Sequence, residues 1–367
     1  MKILQTPVRF KPYIGGVENY VYELSKQLVR QGHEVKVICA NEPTTSNARE
    51  QIDGIEVNRL KYIGKIANTN ITLLLPLRLL SEEFDVIHTH LPTPWSADWS
   101  AIISFLRRKK LIVTYHNDIV GKGVSKYIAR FYNQTMLKFI MGRAHKIIIT
   151  QAKYLDYSPH LKKYKDKIVV IPVGVDTKRL KPMKKIKKSN NTVGFLSVLD
   201  EYHRYKGLDY LLKAIALAKE KIPGIKLVVG GSGALLLEYK KMAKDLGIEE
   251  NVKFLGFIAD ERLAEFYNKL DVFVLPSTSY EQEGFGIVAL EALACGTPVI
   301  ITDITGISKE IKKNSVGIVI KPKDERVLAK MMIKLLSGKS KTMRDIPNAA
   351  LKYSWCNIST KIQEAYD

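Results

Sequence analysis

Cysteine is scarce in this chain, long apolar runs are absent, and acidic residues nearly vanish from one quarter of its length. The three cysteines, Cys39, Cys295 and Cys356, are odd in number and far apart. They form no metal-binding or redox spacing, which points to a reduced, cytoplasmic compartment. No run reaches the ~18 apolar residues of a membrane-spanning helix. The N-terminal stretch MKILQTPVRF has too short an apolar segment for a signal peptide and reads as a first strand. A dinucleotide fingerprint is missing too: GGSG at 230–233 lacks the full glycine spacing and a clear ribose acid after it. What is present is a globular composition, 46% apolar and 26% charged, over 367 residues, enough for two domains of ordinary size.

Strand and helix signals alternate from end to end. Lys2–Thr6 reads as a strand, a loop closes in Gly15-Gly16, and Val17–Gln31 is a helix with Val17, Val21, Leu24 and Leu28 on one face. Strands follow at 34–39, 52–60, 85–90, 111–115, 146–150 and 168–171. Helices are expected at 95–106, about 124–141 and 151–160, with a short helix or apolar surface segment in LLLPLRLL within 71–82. Pro172–Lys188 breaks the rhythm and reads as a domain link, after which strands and helices alternate again to about residue 337. Such alternation predicts parallel sheets covered on both faces, twice over, with a cleft between the domains as the ordinary place for a ligand.

The densest signal is Glu281–Ile301. A buried strand at 271–276 is followed by Gly284 and Gly286, a helix pattern through Leu293, a stop at Gly296 and Pro298, and a further buried strand. Glycines before a helix N-terminus expose backbone N–H groups that favour an anion. Glu283 lies in the loop and Glu291 in the helix, so both can face one elongated ligand; a capping acid plus a solvated acid is the plainer alternative. Elsewhere, Gly15-Gly16 either cradles a phosphate or makes a turn. His116 ends a buried strand in VTYHND, placed to orient a polar substrate or simply to bond a neighbouring backbone group. His88 and His90 share one strand face but have no third and fourth ligands at supporting spacing, so no metal is expected. His203, Arg204 and Lys206 follow the first strand of the second half, where cations can neutralise a diphosphate or merely face solvent.

Together these segments resemble the retaining glycosyltransferases of family 4, which have the two-domain GT-B fold. EGFGIVALEALACGTPVI is similar to that family's donor-site motif, IPVGVD to its domain link and YKGLDYLL to its basic donor segment. GGVENYVYELSKQLVRQGHEV is similar to its first loop and helix, and VTYHND to its histidine segment. The resemblance covers about residues 2–335. It implies an α/β GT-B protein, two doubly wound Rossmann-like domains facing across a cleft. An acceptor-side domain at 1–176 would precede a nucleotide-sugar domain at 177–344, and a segment at 345–367 would cross back to the first domain.

By resemblance Glu291 contacts the donor ribose and Glu283 the donor sugar. The backbone of Gly284, Phe285, Gly286 and Ile287 lies near sugar and phosphate, Lys206 with Arg204 neutralises the diphosphate, His116 lies by the reacting sugar, and Gly15 and Gly16 approach phosphates and acceptor. His116, Glu283 and Lys206 are the expected catalytic set, with no metal and no cofactor. Two departures stand out. Many members carry Gly-Arg where this chain has Ser197-Val198, and one extra residue precedes Glu310 in Gly306–Glu310.

Charge bears on the acceptor. Residues 101–188 hold 22 Lys/Arg against four acids, so +18 of the chain's +21 lies there. Lys178–Lys188 alone holds seven bases and no acid. Lys122, Lys126 and Arg130 form one helical stripe, with Val124, Tyr127, Ile128 and Phe131 on the adjoining face. A basic, aromatic amphipathic helix suits an anionic membrane face, so peripheral membrane association and a lipid-linked or phosphorylated glycan acceptor are expected. The alternative is that this apolar face belongs to the core. Two other readings stand beside transfer: a GT-B epimerase or phosphorylase, and a nucleic-acid-binding protein using the basic half, for which no reading motif is present.

Overall fold

The computed structural model describes all residues except 14, 45–46, 67–68, 120–122, 124, 281 and 339–344. The chain forms two compact units: Met1–Gly174 with Trp355–Asp367, and Val175–Ser354.

The first unit is built on eight strands: β1 (Lys2–Thr6), β2 (Glu34–Ala40), β3 (Arg49–Ile52), β4 (Ile55–Leu60) and, after a small hairpin of β5 (Gly64–Ile66) and β6 (Thr69–Ile71), β7 (Val86–Leu91), β8 (Lys110–Tyr115), β9 (Lys146–Ile149) and β10 (Ile168–Val170). Their order is β10-β9-β8-β7-β1-β2-β4-β3, parallel except for β3. The order reverses at β1, so the loop carrying Gly15-Gly16 leaves the sheet at its switch point. Helix α1 (Gly16–Arg30) follows that loop. Helices α2 (Leu75–Ser81), α3 (Ser96–Leu106), α4 (Ser125–Gln134), α5 (Met136–Arg143) and α6 (Tyr154–Tyr157) complete the first pass of the chain.

The second unit repeats the plan with β11 (Thr192–Leu196), β12 (Lys226–Gly230), β13 (Val252–Gly256), β14 (Val272–Leu275), β15 (Val299–Thr302) and β16 (Gly317–Ile320), ordered β13-β12-β11-β14-β15-β16 and wholly parallel. Its switch point lies between β11 and β14. The helices are α7 (Leu208–Lys219), α8 (Leu236–Asp245), α9 (Asp260–Asn268), α10 (Ile287–Ala294), α11 (Ser308–Asn314), α12 (Glu325–Leu336) and α13 (Ile346–Leu351). One core joins Val, Ile and Leu from one face of the sheet to the inner sides of α7, α8 and α12; the intervening strand residues Phe273, Leu275, Val299 and Ile301 are buried on the other face, as a sheet buried on two sides requires.

The last helix, α14 (Trp355–Glu364), belongs to the first unit and packs on α1. The segment expected to return, 345–367, therefore divides at Ser354: α13 packs on α10 in the second unit, and only Trp355 onward returns. Covered by α14, helix α1 buries a second side that its apolar stripe does not announce. Tyr20 and Ser25 are buried, and Gln31 donates to Ser359 at 3.1 Å.

Three expectations need correction. The single helix over 124–141 is two, α4 and α5, broken at Thr135 (φ −113°, ψ −87°). The Thr135 hydroxyl donates back to the Phe131 carbonyl at 2.8 Å, a bond that competes with helical continuation. The strand expected over 52–60 is a hairpin instead. Asp53 and Gly54 both have positive φ, the tight two-residue turn that joins β3 to β4. Helix α11 has no counterpart in the sequence reading. Lys122 and Val124, counted in the basic and apolar stripes, lie outside the described residues.

Candidate active site

In the second unit Lys206 and Glu283 form the centre. Lys206 ends a 3₁₀ turn (Glu201–Lys206) after β11, and Glu283 lies in the loop after β14, on either side of the switch point. Gly207 permits their approach. It has φ +78°, and a Cβ there would lie 2.2 Å from the Pro276 carbonyl oxygen, so any larger residue pushes the turn away from β14. The Thr278 N–H donates to the Tyr205 carbonyl at 2.7 Å and closes the junction. The Lys206 ammonium then lies 3.0 Å from both carboxylate oxygens of Glu283. Ser277 also donates to Glu283, whose side chain is 1% exposed. Burial disfavours the charge on Lys206, but Glu283, aided by Tyr205, outweighs it and holds the ammonium above its usual range.

Helix α10 starts immediately beyond this pair. Gly286 caps it with φ +83°, and a Cβ there would meet Thr305 Cγ2 at 2.3 Å. The carbonyls of Gly284 and Phe285 accept from the N–H groups of Gly306 and Ile307 at 3.0 and 3.2 Å. The 306–310 segment, with its extra residue, thus staples the loop from behind. The first N–H groups of α10 make its N-terminus a place for negative charge. Glu291, about one turn along, is half-buried and accepts from Tyr267 at 2.7 Å. Burial raises its carboxyl to about 7, against the opposing Tyr267 bond and the Arg179 charge.

Arg204 is oriented differently from the expectation. Its guanidinium grips Glu201 and Glu238, at 2.9 and 2.8 Å in the nearest contacts, so its charge is already matched on the surface. Val198, where the family arginine is missing, is half exposed. His203 pairs with Asp200 at 2.7 Å. The GGSG run is a packing device: at positive φ, Cβ atoms on Gly231 and Gly233 would lie 1.7 and 2.2 Å from the carbonyl oxygens of Ser197 and Leu199.

In the first unit, a Cβ on Gly15 would lie 2.2 Å from Glu18 Oε2, while Gly16 has open space around it. Glu18, buried and 3.4 Å from Arg9, already brings a carboxylate to the start of α1. His116 follows β8. Its N–H donates to Leu91 at 2.9 Å, its carbonyl accepts from Tyr154 at 2.5 Å, and its ring lies edge-on to Tyr20. The ring also lies alongside His90, which stacks on His88. Burial lowers His116 to about 4 and His88 to about 3, so this cluster is neutral near pH 7.

The structure thus joins Lys206, Glu283 and Gly284–Ile287 in the second unit, with Glu291 on the same helix, and directs Arg204 elsewhere. Sequence reasoning missed Ser277, Tyr205 and Tyr267, which hold the charged groups. Tyr205 opens the YKGLDYLL segment, but nothing in that pattern marks its part; Ser277 and Tyr267 lie in no motif, and only the folded sheet brings them near.

Comparison with known proteins decides the family. Residues 160–352 match the model of glycosyl transferases group 1, and residues 14–179 match glycosyltransferase family 4. The chain belongs to the group 1 glycosyltransferases. Among group 1 relatives, the O-antigen chain mannosyltransferase C of Escherichia coli is 27% identical, covering 100% of this chain and 97% of its own. The phosphatidyl-myo-inositol mannosyltransferase of Mycobacterium leprae is 24% identical, over 96% and 93%. The Anabaena protein HepE, solved with UDP-glucose, superposes at a TM-score of 0.76 with 22% identity, over 99% of this chain and 98% of that one. This group 1 glycosyltransferase has the GT-B fold, two Rossmann-like domains in one chain.

Proposed function

We propose that this enzyme moves a sugar from a nucleoside-diphosphate sugar to a hydroxyl acceptor with retention of anomeric configuration. The observation that carries the reading is the Lys206–Glu283 pair, set at the switch point of a parallel sheet beside the N-terminus of α10. Glu291 takes the ribose hydroxyls, and the Gly284–Ile287 backbone takes phosphate and sugar. Lys206 and the α10 N–H groups stabilise the charge that grows on the leaving phosphate. Glu283 accepts from donor-sugar hydroxyls, and His116 bonds the reacting sugar as a neutral imidazole.

The bond from the anomeric carbon to the β-phosphate oxygen breaks, and its electron pair stays on that oxygen. The acceptor oxygen bonds to the same face of the carbon, and its proton passes to the departing phosphate. The reading calls for no metal and no cofactor. HepE's crystallisation with UDP-glucose supports a nucleotide-sugar donor. A thermal-shift panel of UDP-, GDP- and ADP-sugars tests it: one of them should raise Tm in a concentration-dependent way, and none doing so sinks the proposal. NMR of the product's anomeric proton tests the stereochemistry, and an inverted linkage removes this mechanism.

The acceptor is a lipid-linked or phosphorylated glycan, reached with the enzyme resting on an anionic membrane. Support comes from α4, where Tyr127, Ile128 and Phe131 are 74%, 63% and 70% exposed beside exposed Lys126 and Arg130. These side chains are not core. Among the described residues no helix is long and apolar enough to cross a membrane. A named relative that acts on phosphatidyl-myo-inositol is in keeping with such an acceptor.

A further inference from the structure

His116 is not an isolated side chain. Its Nε2 lies 3.4 Å from His90 Nδ1, and His90 Nε2 lies 3.0 Å from Gln5 Oε1. Gln5 Nε2 lies 3.4 Å from His88 Nδ1, which is also 2.8 Å from the Tyr366 hydroxyl. His88 Nε2 lies 2.7 Å from Thr114 Oγ1. The chain runs across the adjacent strands β1, β7 and β8 and ends on a residue just past α14. Gln5, His88, His90, Thr114 and Tyr366 are all fully buried.

The chemistry of each link sets its direction. An amide oxygen only accepts, so His90 carries its proton on Nε2. A neutral His90 then has a lone pair on Nδ1, and the proton between the rings belongs to His116 Nε2. At the other end the Gln5 amide donates to His88 Nδ1, which leaves His88 Nε2–H to donate to Thr114. With all three rings neutral, each ring N–H meets an acceptor in this chain: Gln5 Oε1, His90 Nδ1 and Thr114 Oγ1.

We propose that Gln5 is a positioning residue that fixes the tautomer of His116 through His90. With Nε2 protonated, His116 keeps Nδ1 as its one ring acceptor, so the group it takes must be a donor such as a sugar hydroxyl. That last step rests on the role given to His116 above; the tautomer itself does not. A turned-over Gln5 amide would reverse every link and leave His116 as a donor at Nδ1.

Long-range proton–nitrogen NMR of ¹⁵N-histidine-labelled full-length protein tests the assignment. The expected spectrum shows His116 protonated at Nε2, and a proton on Nδ1 in the unsubstituted protein overturns the proposal outright. Gln5→Met should mix the two His116 tautomers and lower kcat about tenfold while donor KM stays within about twofold. Gln5→Glu keeps an oxygen acceptor for His90, so it should restore the Nε2–H form and most of kcat. A folded Gln5→Met protein with an unchanged His116 spectrum also overturns it. If Gln5→Met does not fold, the unsubstituted spectrum still decides. Full turnover in His116→Ala, with the predicted tautomer seen, removes the catalytic role of His116 and leaves the Gln5 assignment standing.

Discussion

At the scale of single residues, Glu291 carries the sharpest consequence. Its carboxyl is raised from 4.5 to about 7 by burial, so the folded protein holds this proton more tightly than the unfolded chain. Its contribution to stability is therefore present below about pH 4.5 and is lost as pH rises through about 7. Glu291→Gln, which keeps an acceptor for Tyr267, should stabilise the protein by about 2 kcal/mol at pH 8 and by little at pH 5; denaturant titration at the two pH values checks this. The same substitution should weaken donor binding, because an amide offers one acceptor oxygen where the carboxylate offers two. In the unsubstituted enzyme kcat/KM for the donor should rise with pH through about 7, and Glu291→Gln should abolish that limb. His116, lowered to about 4, should add no inflection near the usual histidine value. Gly207 makes a second case. Gly207→Ala should cost about 2 kcal/mol or more and lower activity, since the added methyl meets the Pro276 carbonyl and displaces Lys206. The two glutamates, Lys206 and His116 were legible from motif spacing. The hydroxyl partners of the glutamates were not, because Tyr267 and Ser277 reach them through the packing of α9 and the end of β14, which no local pattern encodes.

At the scale of elements, α4 is the informative piece. Its apolar face could be read from sequence, but whether that face was buried could not, since α4 and a core helix share the same periodicity. The structure leaves Tyr127, Ile128 and Phe131 in solvent. Replacing Tyr127 and Phe131 with Ser should reduce co-sedimentation with liposomes containing anionic lipid at least fivefold and leave Tm within about 1 °C, because few core contacts are lost. Equal sedimentation of both proteins would count against a membrane role for this face. The break between α4 and α5 was illegible for another reason: a threonine hydroxyl bonding its own helix carries no compositional signature. Asp53-Gly54, by contrast, is a turn signal that could have been taken as a hairpin.

At the scale of the whole molecule, the two-sheet architecture was legible almost element by element, since parallel sheets buried on both faces demand apolar strands and amphipathic helices in strict alternation. The end of the chain was less so. The sequence pattern gives 345–367 a single destination, yet α13 and α14 pack in different units, a choice set by partners distant in sequence. One feature of the second unit bears on how the enzyme discriminates among ligands. Lys206 and Glu283 pair with one another. On the proposed function a phosphate draws Lys206 toward it, and donor-sugar hydroxyls replace the bonds Glu283 gives up, beside the one from Ser277. An intact sugar donor brings both an anion for the lysine and hydroxyls for the glutamate, whereas the spent nucleoside diphosphate brings only the anion. On the proposed function the pair favours substrate over product, and the intact donor should raise Tm more than its diphosphate at matched concentration. Equal shifts would show that the exchange of partners does not take place.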